Sequence, residues 1–267
     1  MVSDTLSAAP AGTVYDLQMA VLEGNLQRMV AATFENVFGD DSTYRVRYTT
    51  QNGIDEDVTL VRIDPSELEG LSDTRLNARN NPVRSNLVQL SDASIEELRL
   101  FSIAEGGAAG FVEKVGIFGL PTDPAEVQAR SATATYTGDV YLAYTGSDPQ
   151  TINGSGSGTA SVTADFDALT LSGTAMLDAG QVGAGAGDFL TGATLDLDGT
   201  ISTGNDFSGT VSLGSAAAGS TLTALDGQLD GAFFGQGASS LGGTFAGTLT
   251  TTDQGSLGVV GGVAAKE

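Results

Sequence analysis

The chain contains no cysteine, no histidine and no tryptophan. It can therefore form no disulfide, and it offers no thiolate nucleophile, no imidazole base and no imidazole ligand for haem. The usual ligand set of zinc sites is missing as well. Because most hydrolase chemistry depends on these groups, we predict a protein that is not an enzyme and that carries no cofactor and no metal.

Long apolar runs are also missing. No stretch approaches the roughly 18 to 20 apolar residues that a membrane-spanning helix needs, so we do not expect the chain to span a membrane. The start, Met1-Val2-Ser3-Asp4, has neither the basic segment nor the apolar segment of a signal peptide. The chain thus begins as a mature protein would, and this start leaves its compartment open.

Positive charge is scarce. Eleven Lys and Arg face 33 Asp and Glu, for a net charge of −22. Residues 131–267 hold only Lys266 against thirteen of those acids. Nucleic-acid phosphates and anionic lipids repel such a chain, so we expect no nucleic-acid partner. The charge favours solubility, with a high-salt habitat as the alternative reading.

Glycine divides the chain into two parts, with ten glycines in residues 1–130 and 27 in residues 131–267. The division lies near Leu120-Pro121-Thr122-Asp123-Pro124, where two closely spaced prolines disfavour a central strand or a helix interior. The length also favours two domains. We therefore predict a first domain over residues 1–125 and a second over residues 126–267.

From Ser131 onward, apolar and polar residues alternate as they do in a strand with one buried face. Tyr136, Val140 and Leu142 share one face of the first run, for example, and Asp139 lies on the other. Eight runs show the pattern: 132–144, 160–166, 169–177, 193–201, 207–213, 225–233, 243–249 and 257–263.

Closing eight antiparallel strands into a barrel removes the open sheet edges. We predict a mainly β protein with a water-soluble, eight-stranded antiparallel β-barrel, its apolar side inward and its hydroxyl and carboxylate side in water. Leu, Val and Phe should fill the interior, although a lipocalin-like cavity remains an alternative. The run Gly154-Ser155-Gly156-Ser157-Gly158 is expected to precede the second strand.

The first domain is less regular. Leu26, Met29, Val30 and Phe34 fall at helical spacing, which predicts a helix over residues 25–38. Alternation predicts paired strands over 43–49 and 58–63, with Gln51-Asn52-Gly53 as the turn between them. Further strands are expected over 87–90 and 111–118. The domain should be a mixed α+β or mostly-β handle.

Basic and aromatic side chains alternate on one predicted strand of this handle. Tyr44 and Tyr48 lie on one face, Arg45 and Arg47 lie on the other, and Arg62 belongs to the neighbouring strand. Such a patch can bind an acidic partner or stack on a flat ligand. The alternative is an ordinary strand whose tyrosines pack and whose arginines pair with nearby acids.

Two carboxylate pairs raise the question of catalysis. Asp165 with Asp167, and Asp196 with Asp198, are two residues apart on one face, a spacing that overlaps the separation in inverting glycosidases. Both pairs lie on the phase assigned to water, where little would perturb their pKa. A solvated surface is the preferred reading, with a glycosidase as the rival.

Several segments together resemble the barrel of the transferrin-binding protein B family, which includes factor H binding protein and haemophilin-like haemophores. They are Thr133–Gly138, Asp165-Phe166, Asn205–Thr210 and above all Gly231–Phe245, in which an aromatic-glycine pair leads through a turn to Gly-Gly-x-Phe. The residues that carry the barrel motif, each with a structural role, are Tyr136, Gly138, Phe207, Gly209, Phe233, Gly235, Gly243 and Phe245.

The resemblance implies an exported Gram-negative protein, secreted or held at the outer-membrane surface as a lipoprotein, that captures a nutrient, a host protein or another ligand. Recognition is expected on the handle and on loops at one barrel end. An outer-membrane receptor or a surface-export factor is a further candidate partner. An adhesive surface module is the rival function, and haem would need Tyr or Met as its ligand. The family's usual proline and glutamate are replaced here by Gln236, Gly237 and Ser240.

Overall fold

The computed structural model describes residues 12–23, 26–36, 43–49, 55–61, 75–76, 82–83, 87–89, 97–107, 110–146, 152–182 and 189–267. The strands that precede the proline-containing segment are β1 Thr13–Glu23, β2 Leu26–Asn36, β3 Thr43–Thr49, β4 Asp55–Val61, β5 Arg75–Leu76, β6 Pro82–Val83, β7 Leu87–Gln89, β8 Leu98–Gly107 and β9 Gly110–Gly119. A short helix, α1, spans Pro124–Ala129. The later strands are β10 Thr133–Thr145, β11 Asn153–Asp165, β12 Thr170–Val182, β13 Thr194–Ile201, β14 Asp206–Ser215, β15 Leu222–Phe234, β16 Ser240–Thr251 and β17 Gly255–Lys266.

Seven of the first nine strands form one antiparallel sheet in the order β4-β3-β2-β1-β9-β8-β7, which we call the handle sheet. β5 and β6 pair separately. The strands predicted over 43–49, 87–90 and 111–118 are confirmed as β3, β7 and β9, and the one predicted over 58–63 begins earlier, as β4. The predicted turn Gln51–Gly53 lies outside the described residues.

The helix predicted over residues 25–38 is wrong, because Leu26–Asn36 is strand β2 and pairs with β1 and β3. Alternate side chains of β2 lie on opposite sides of the sheet. Met29 packs on one side against the barrel, and Ala32 is buried on the other. Apolar residues on both faces blur the two-residue period, and their spacing then imitates that of a helix.

The connector leaves the handle sheet at Gly119 and enters α1 through Asp123, whose carboxylate accepts a hydrogen bond from the Ala125 amide at 2.8 Å. Pro124 occupies the first turn of the helix, where its missing N–H costs no hydrogen bond. The boundary predicted between residues 125 and 126 falls inside this helix and stays a prediction.

The last eight strands close into an antiparallel barrel in which each strand pairs with its sequence neighbours and β17 pairs with β10. All eight predicted runs are confirmed as strands of this barrel, and their inward apolar residues face the lumen except Ala132 and Leu169, which lie outside the strands and are exposed. The run Gly154–Gly158 does not precede the second strand but lies within β11, with a bulge between Ser157 and Gly158.

Side chains fill the lumen. At one end Phe233 lies at the centre of an aromatic cluster, with ring centroids 6.1 Å from Tyr136, 5.3 Å from Phe166 and 5.7 Å from Phe207. Gly231 makes room for this cluster, because a Cβ at that position would overlap the ring of Phe207. The interior of the barrel is therefore a packed hydrophobic core, since an eight-stranded barrel is narrow enough for its own side chains to fill.

The handle sheet packs on the outer wall of the barrel, mainly through β1, β2, β8 and β9 against β16 and β17. The apolar residues of this handle–barrel interface are Ala20, Leu22, Leu98, Leu100, Val115 and Ile117 from the sheet and Ala143, Phe234, Ala246, Val260 and Ala264 from the barrel. The prediction that every outer face is in water is therefore wrong for β16 and β17, which are buried on both faces.

Candidate functional site

Two arginines of the predicted patch lie on the barrel-facing side of the handle sheet, past the strands that form most of the interface. Arg47 pairs in register with Thr33, and Arg45 pairs with Glu35. Both guanidinium groups approach Oε2 of Glu35, at 3.7 Å from Arg45 and 3.4 Å from Arg47. Their side chains are 35% and 47% exposed, so this pair of cations is accessible to a partner.

The tyrosine side of the same patch is not arranged like the arginine side. Tyr48 is buried, and the ammonium group of Lys114 lies 4.8 Å from the centre of its ring. The side chain of Tyr44 and the whole of Arg62 lie outside the described residues. Of the five predicted binding residues, the structure thus brings Arg45 and Arg47 together and places Tyr48 in the packed layer behind them.

A polar cluster inside the handle–barrel interface was missed by sequence reasoning. The hydroxyl of Tyr141 on β10 donates a hydrogen bond of 3.0 Å to Oε1 of Glu113 on β9, and Ser102 and Ser155 also contact that hydroxyl. Burial raises the pKa of Tyr141 well above its usual range, and the Glu113 carboxylate raises it further. Glu113 itself is only 2% exposed. Two adjacent charged residues, Glu113 and Lys114, between the apolar residues of the Phe-Val-Glu-Lys-Val segment are the signal that was available.

One end of the barrel is closed by the connector. The carboxylate of Glu126 accepts a 2.6 Å hydrogen bond from the Gly237 amide, and Arg130 donates to the carbonyls of Gly237 and Ala238. Arg130 also binds both carboxylate oxygens of Glu267 at 2.8 Å. These contacts occupy the polar groups at this end of the barrel.

The Gly231–Phe245 segment forms the β15–β16 hairpin at the closed end. Its turn contains a 3-10 segment, Gln236–Ala238, and requires positive φ at Gly235 and Gly237, which glycine adopts without strain. Tyr136 donates a 2.8 Å hydrogen bond to the Ala238 carbonyl, and burial raises the pKa of Tyr136 above its usual range. The residues of the family's barrel motif therefore form part of the wall and of the closed end of the barrel.

The two carboxylate pairs do not form a catalytic arrangement. Asp165 caps a turn, since its Oδ1 accepts hydrogen bonds from the amides of Asp167 and Ala168. Asp196 and Asp198 lie on the outer wall at successive outward positions of β13. Among the residues that the structure describes, no three acidic side chains converge as a metal site would require.

One family model, the C-lobe and N-lobe beta barrels of Tf-binding protein B, matches residues 129–266, more than half of the chain. The chain belongs to the transferrin-binding protein B family. The resemblance seen in the segments from Thr133 to Phe245 is thereby confirmed. The match ends close to the last residue and begins within α1, so it covers the barrel and not the handle sheet.

Two solved structures of transferrin binding protein B match the chain. Isotype 1 transferrin binding protein B from serogroup B Neisseria meningitidis is 17% identical, with a TM-score of 0.48 over 89% of this chain and 51% of that protein. A double mutant of the vaccine antigen transferrin binding protein B from Haemophilus parasuis Hp5 is 12% identical, with a TM-score of 0.45 over 90% of this chain and 54% of that protein. The chain thus spans about half the length of these relatives. No curated protein matches it.

None of the helices in the described part of the chain has both the length and the apolar character needed to cross a bilayer.

Proposed function

We propose that this chain is an exported Gram-negative binding protein, secreted or anchored at the outer-membrane surface, that captures a nutrient, a host protein or another ligand without catalysis. Its membership of a family named for transferrin binding supports a protein ligand. The single observation that carries the proposal is the family barrel with a handle sheet docked on its outer wall. This arrangement holds a recognition surface in a fixed position.

The handle arginines are the proposed centre of recognition. Ten of the eleven basic residues precede residue 131, and Arg45 and Arg47 present two of them side by side on a half-exposed strand. In a protein of net charge −22, such a pair attracts carboxylates of a partner that the rest of the surface repels. Loops at the barrel end opposite the connector supply the remaining contacts, since loops on a rigid scaffold commonly carry binding.

The test keeps the full chain, because removing the handle sheet would expose the apolar outer face of β16 and β17. Tagged protein is purified from its native host, and macromolecules that remain bound are identified by mass spectrometry. The same purification is repeated with Arg45→Ser/Arg47→Ser and with Arg28→Ser. The last is a matched control, because Arg28 lies on β2 of the same sheet and on its opposite face.

The proposal predicts a ligand that the wild type and Arg28→Ser retain and that the double variant loses. Equal retention by all three proteins would remove the handle arginines from the binding site. Turnover of a substrate by the purified protein would contradict the non-catalytic assignment itself.

A further inference from the structure

A groove lies on the outer wall of the barrel where β10, β11 and β12 run side by side, and it encloses about 580 Å³. This volume is within the range of small-molecule sites, roughly 300 to 1,000 Å³. Hydroxyl groups dominate its lining, contributed by Thr137, Thr159, Ser161 and Thr174. The groove is centred on β10 and β11 and reaches the end of β17 at Lys266, and none of the apolar residues of the handle–barrel interface lines it.

Strand register sets these side chains on a grid. Thr137, Ser161 and Thr174 form one row across the three strands, and Asp139, Thr159 and Met176 form the next. Neighbours in a row are about 4.8 Å apart, and the rows are separated by roughly 6.5 to 7 Å. The groove therefore presents several hydroxyls at spacings that one extended polar molecule can span.

The hydroxyls of the groove are available for binding, unlike those of the adjacent row. In that row Thr135 and Thr163 lie 3.3 Å apart and hydrogen-bond to each other. Within the described part of the chain, the side-chain hydroxyls of Thr137, Ser161 and Thr174 have no hydrogen-bond partner from the protein, whereas their backbone groups pair in the sheet. Their donors and acceptors thus face the groove.

The remaining side chains restrict the class of ligand. Met176 is 48% exposed and offers a flexible apolar surface beside the hydroxyls. Asp139, Lys266 and Glu267 also line the groove, and Glu267 is paired with Arg130, so the groove has no excess of positive charge in a strongly acidic chain, which disfavours anions. A purely aliphatic ligand would leave the hydroxyls without partners, at a cost in free energy.

A sugar ring combines hydroxyl edges with an apolar C–H face and carries no charge, so it satisfies all three conditions. We propose that this groove binds a neutral saccharide, with Thr137, Ser161 and Thr174 hydrogen-bonding its hydroxyls and Met176 packing on its apolar face. The site is separate from the handle arginines, and its failure in a test would leave the proposed function standing.

The test titrates the full chain with the neutral trisaccharides maltotriose, cellotriose and triacetylchitotriose, and follows backbone amide shifts by NMR. The variant Ser161→Ala/Thr174→Val removes two groove hydroxyls with little change in side-chain volume. The control Thr163→Val/Ser172→Ala makes the matching changes in the next cross-strand pair of the same two strands. Since each lost hydrogen bond costs about 0.5 to 1.5 kcal/mol, the groove variant should bind roughly tenfold more weakly and the control unchanged.

Saturable shifts at Thr137, Ser161 and Thr174 with this difference between variants would support the site. An array of immobilised glycans tests the charge argument, and a preference for sialylated over neutral glycans would overturn it. No binding of any neutral saccharide, or equal weakening by both double variants, would overturn the proposal.

Discussion

Two parts of the barrel wall have similar inner faces and different outer faces. On β13 and β14 the outward residues include Asp196, Asp198 and Ser212, which are polar and in contact with water. On β16 and β17 the outward residues include Ala246 and Val260, which are buried under the handle sheet. The wall thus changes from a solvated surface to an internal layer within one continuous sheet.

The comparison shows what a strand needs to become internal on both sides. The outer face must lose its charges, and it must also carry small residues so that a second sheet can approach. Gly242 and Gly262 illustrate the second condition, because a Cβ there would lie 2.8 Å from Ile117 and 2.6 Å from Leu100 respectively. The inner face changes little, since Leu249 and Val259 pack in the lumen as Leu197 does.

The largest effect should come from placing a charge on the covered wall. Ala264→Asp would bury an unpaired carboxylate in the handle–barrel interface and should lower the free energy of unfolding by about 3 kcal/mol or more. Thr200→Asp adds the same charge on the exposed face of β13 and should change it by roughly 0.5 kcal/mol or less. Urea unfolding measures both, and equal effects would break the distinction between the two walls.

Disrupting the polar cluster in the handle–barrel interface should have the second-largest effect on stability. Tyr141→Phe leaves the buried Glu113 carboxylate with one hydrogen bond fewer, at an expected cost of about 1.5 to 3 kcal/mol. A double-mutant cycle with Glu113→Met, which has no oxygen to accept the hydrogen bond, separates this coupling from the loss of each side chain alone. Additive effects of the two substitutions would show that the hydrogen bond does not join the handle sheet to the barrel.

Adjacent glycines on β17 compare the two faces directly. A Cβ on Gly261 would overlap the Phe245 ring in the lumen, whereas one on Gly262 would meet a methyl group of Leu100 at 2.6 Å. Overpacking a rigid ring should make Gly261→Ala cost about 1 to 3 kcal/mol. Gly262→Ala should cost less, because the end of a leucine side chain can move. Thermal unfolding distinguishes them, and the reverse order would contradict the tight lumen.

Alkaline pH should produce the most gradual effect, which is small close to pH 10 and grows above it. Burial raises the pKa of Tyr136 at the closed barrel end and of Tyr141 at the interface, so the folded state keeps both protons longer than the unfolded chain does. The contribution of the two tyrosines to the free energy of unfolding is therefore fully present below the unfolded pKa of about 10. It falls as the pH rises above that value, by about 1.4 kcal/mol per pH unit for each tyrosine. Tyr136→Phe and Tyr141→Phe should each flatten this decline in urea unfolding, and an unchanged slope would contradict the assignment.

The barrel was predictable because each of its strands has one face in the lumen. Inward residues such as Leu197 and Phe245 must be apolar, so the two-residue period survives even where the outer face is also buried. The segment Gly154–Gly158 was missed for a related reason. Glycine carries no side chain, and its alternation with serine in β11 has no apolar phase to detect.

The handle was less predictable, and so was the candidate site. β2 contacts the barrel on one side and carries buried Ala32 on the other, which removed the alternation that identifies a strand. Strand periodicity alone predicted that Arg45 and Arg47 lie on the same face of their strand. Their meeting at Glu35 depends on the pairing of β2 with β3, and the contact of Glu113 with Tyr141 depends on packing between residues that are distant in sequence.

By itself, the sequence determined that eight late segments are strands, that their Leu, Val and Phe side chains face one another, and that no cysteine or histidine chemistry is available. Tertiary structure alone decided that β16 and β17 lie beneath a second sheet and that an acidic side chain is enclosed there. The reason is physical. Alternation is a local property of a strand, whereas the choice between water and protein as its outer neighbour depends on how distant parts of the chain pack together.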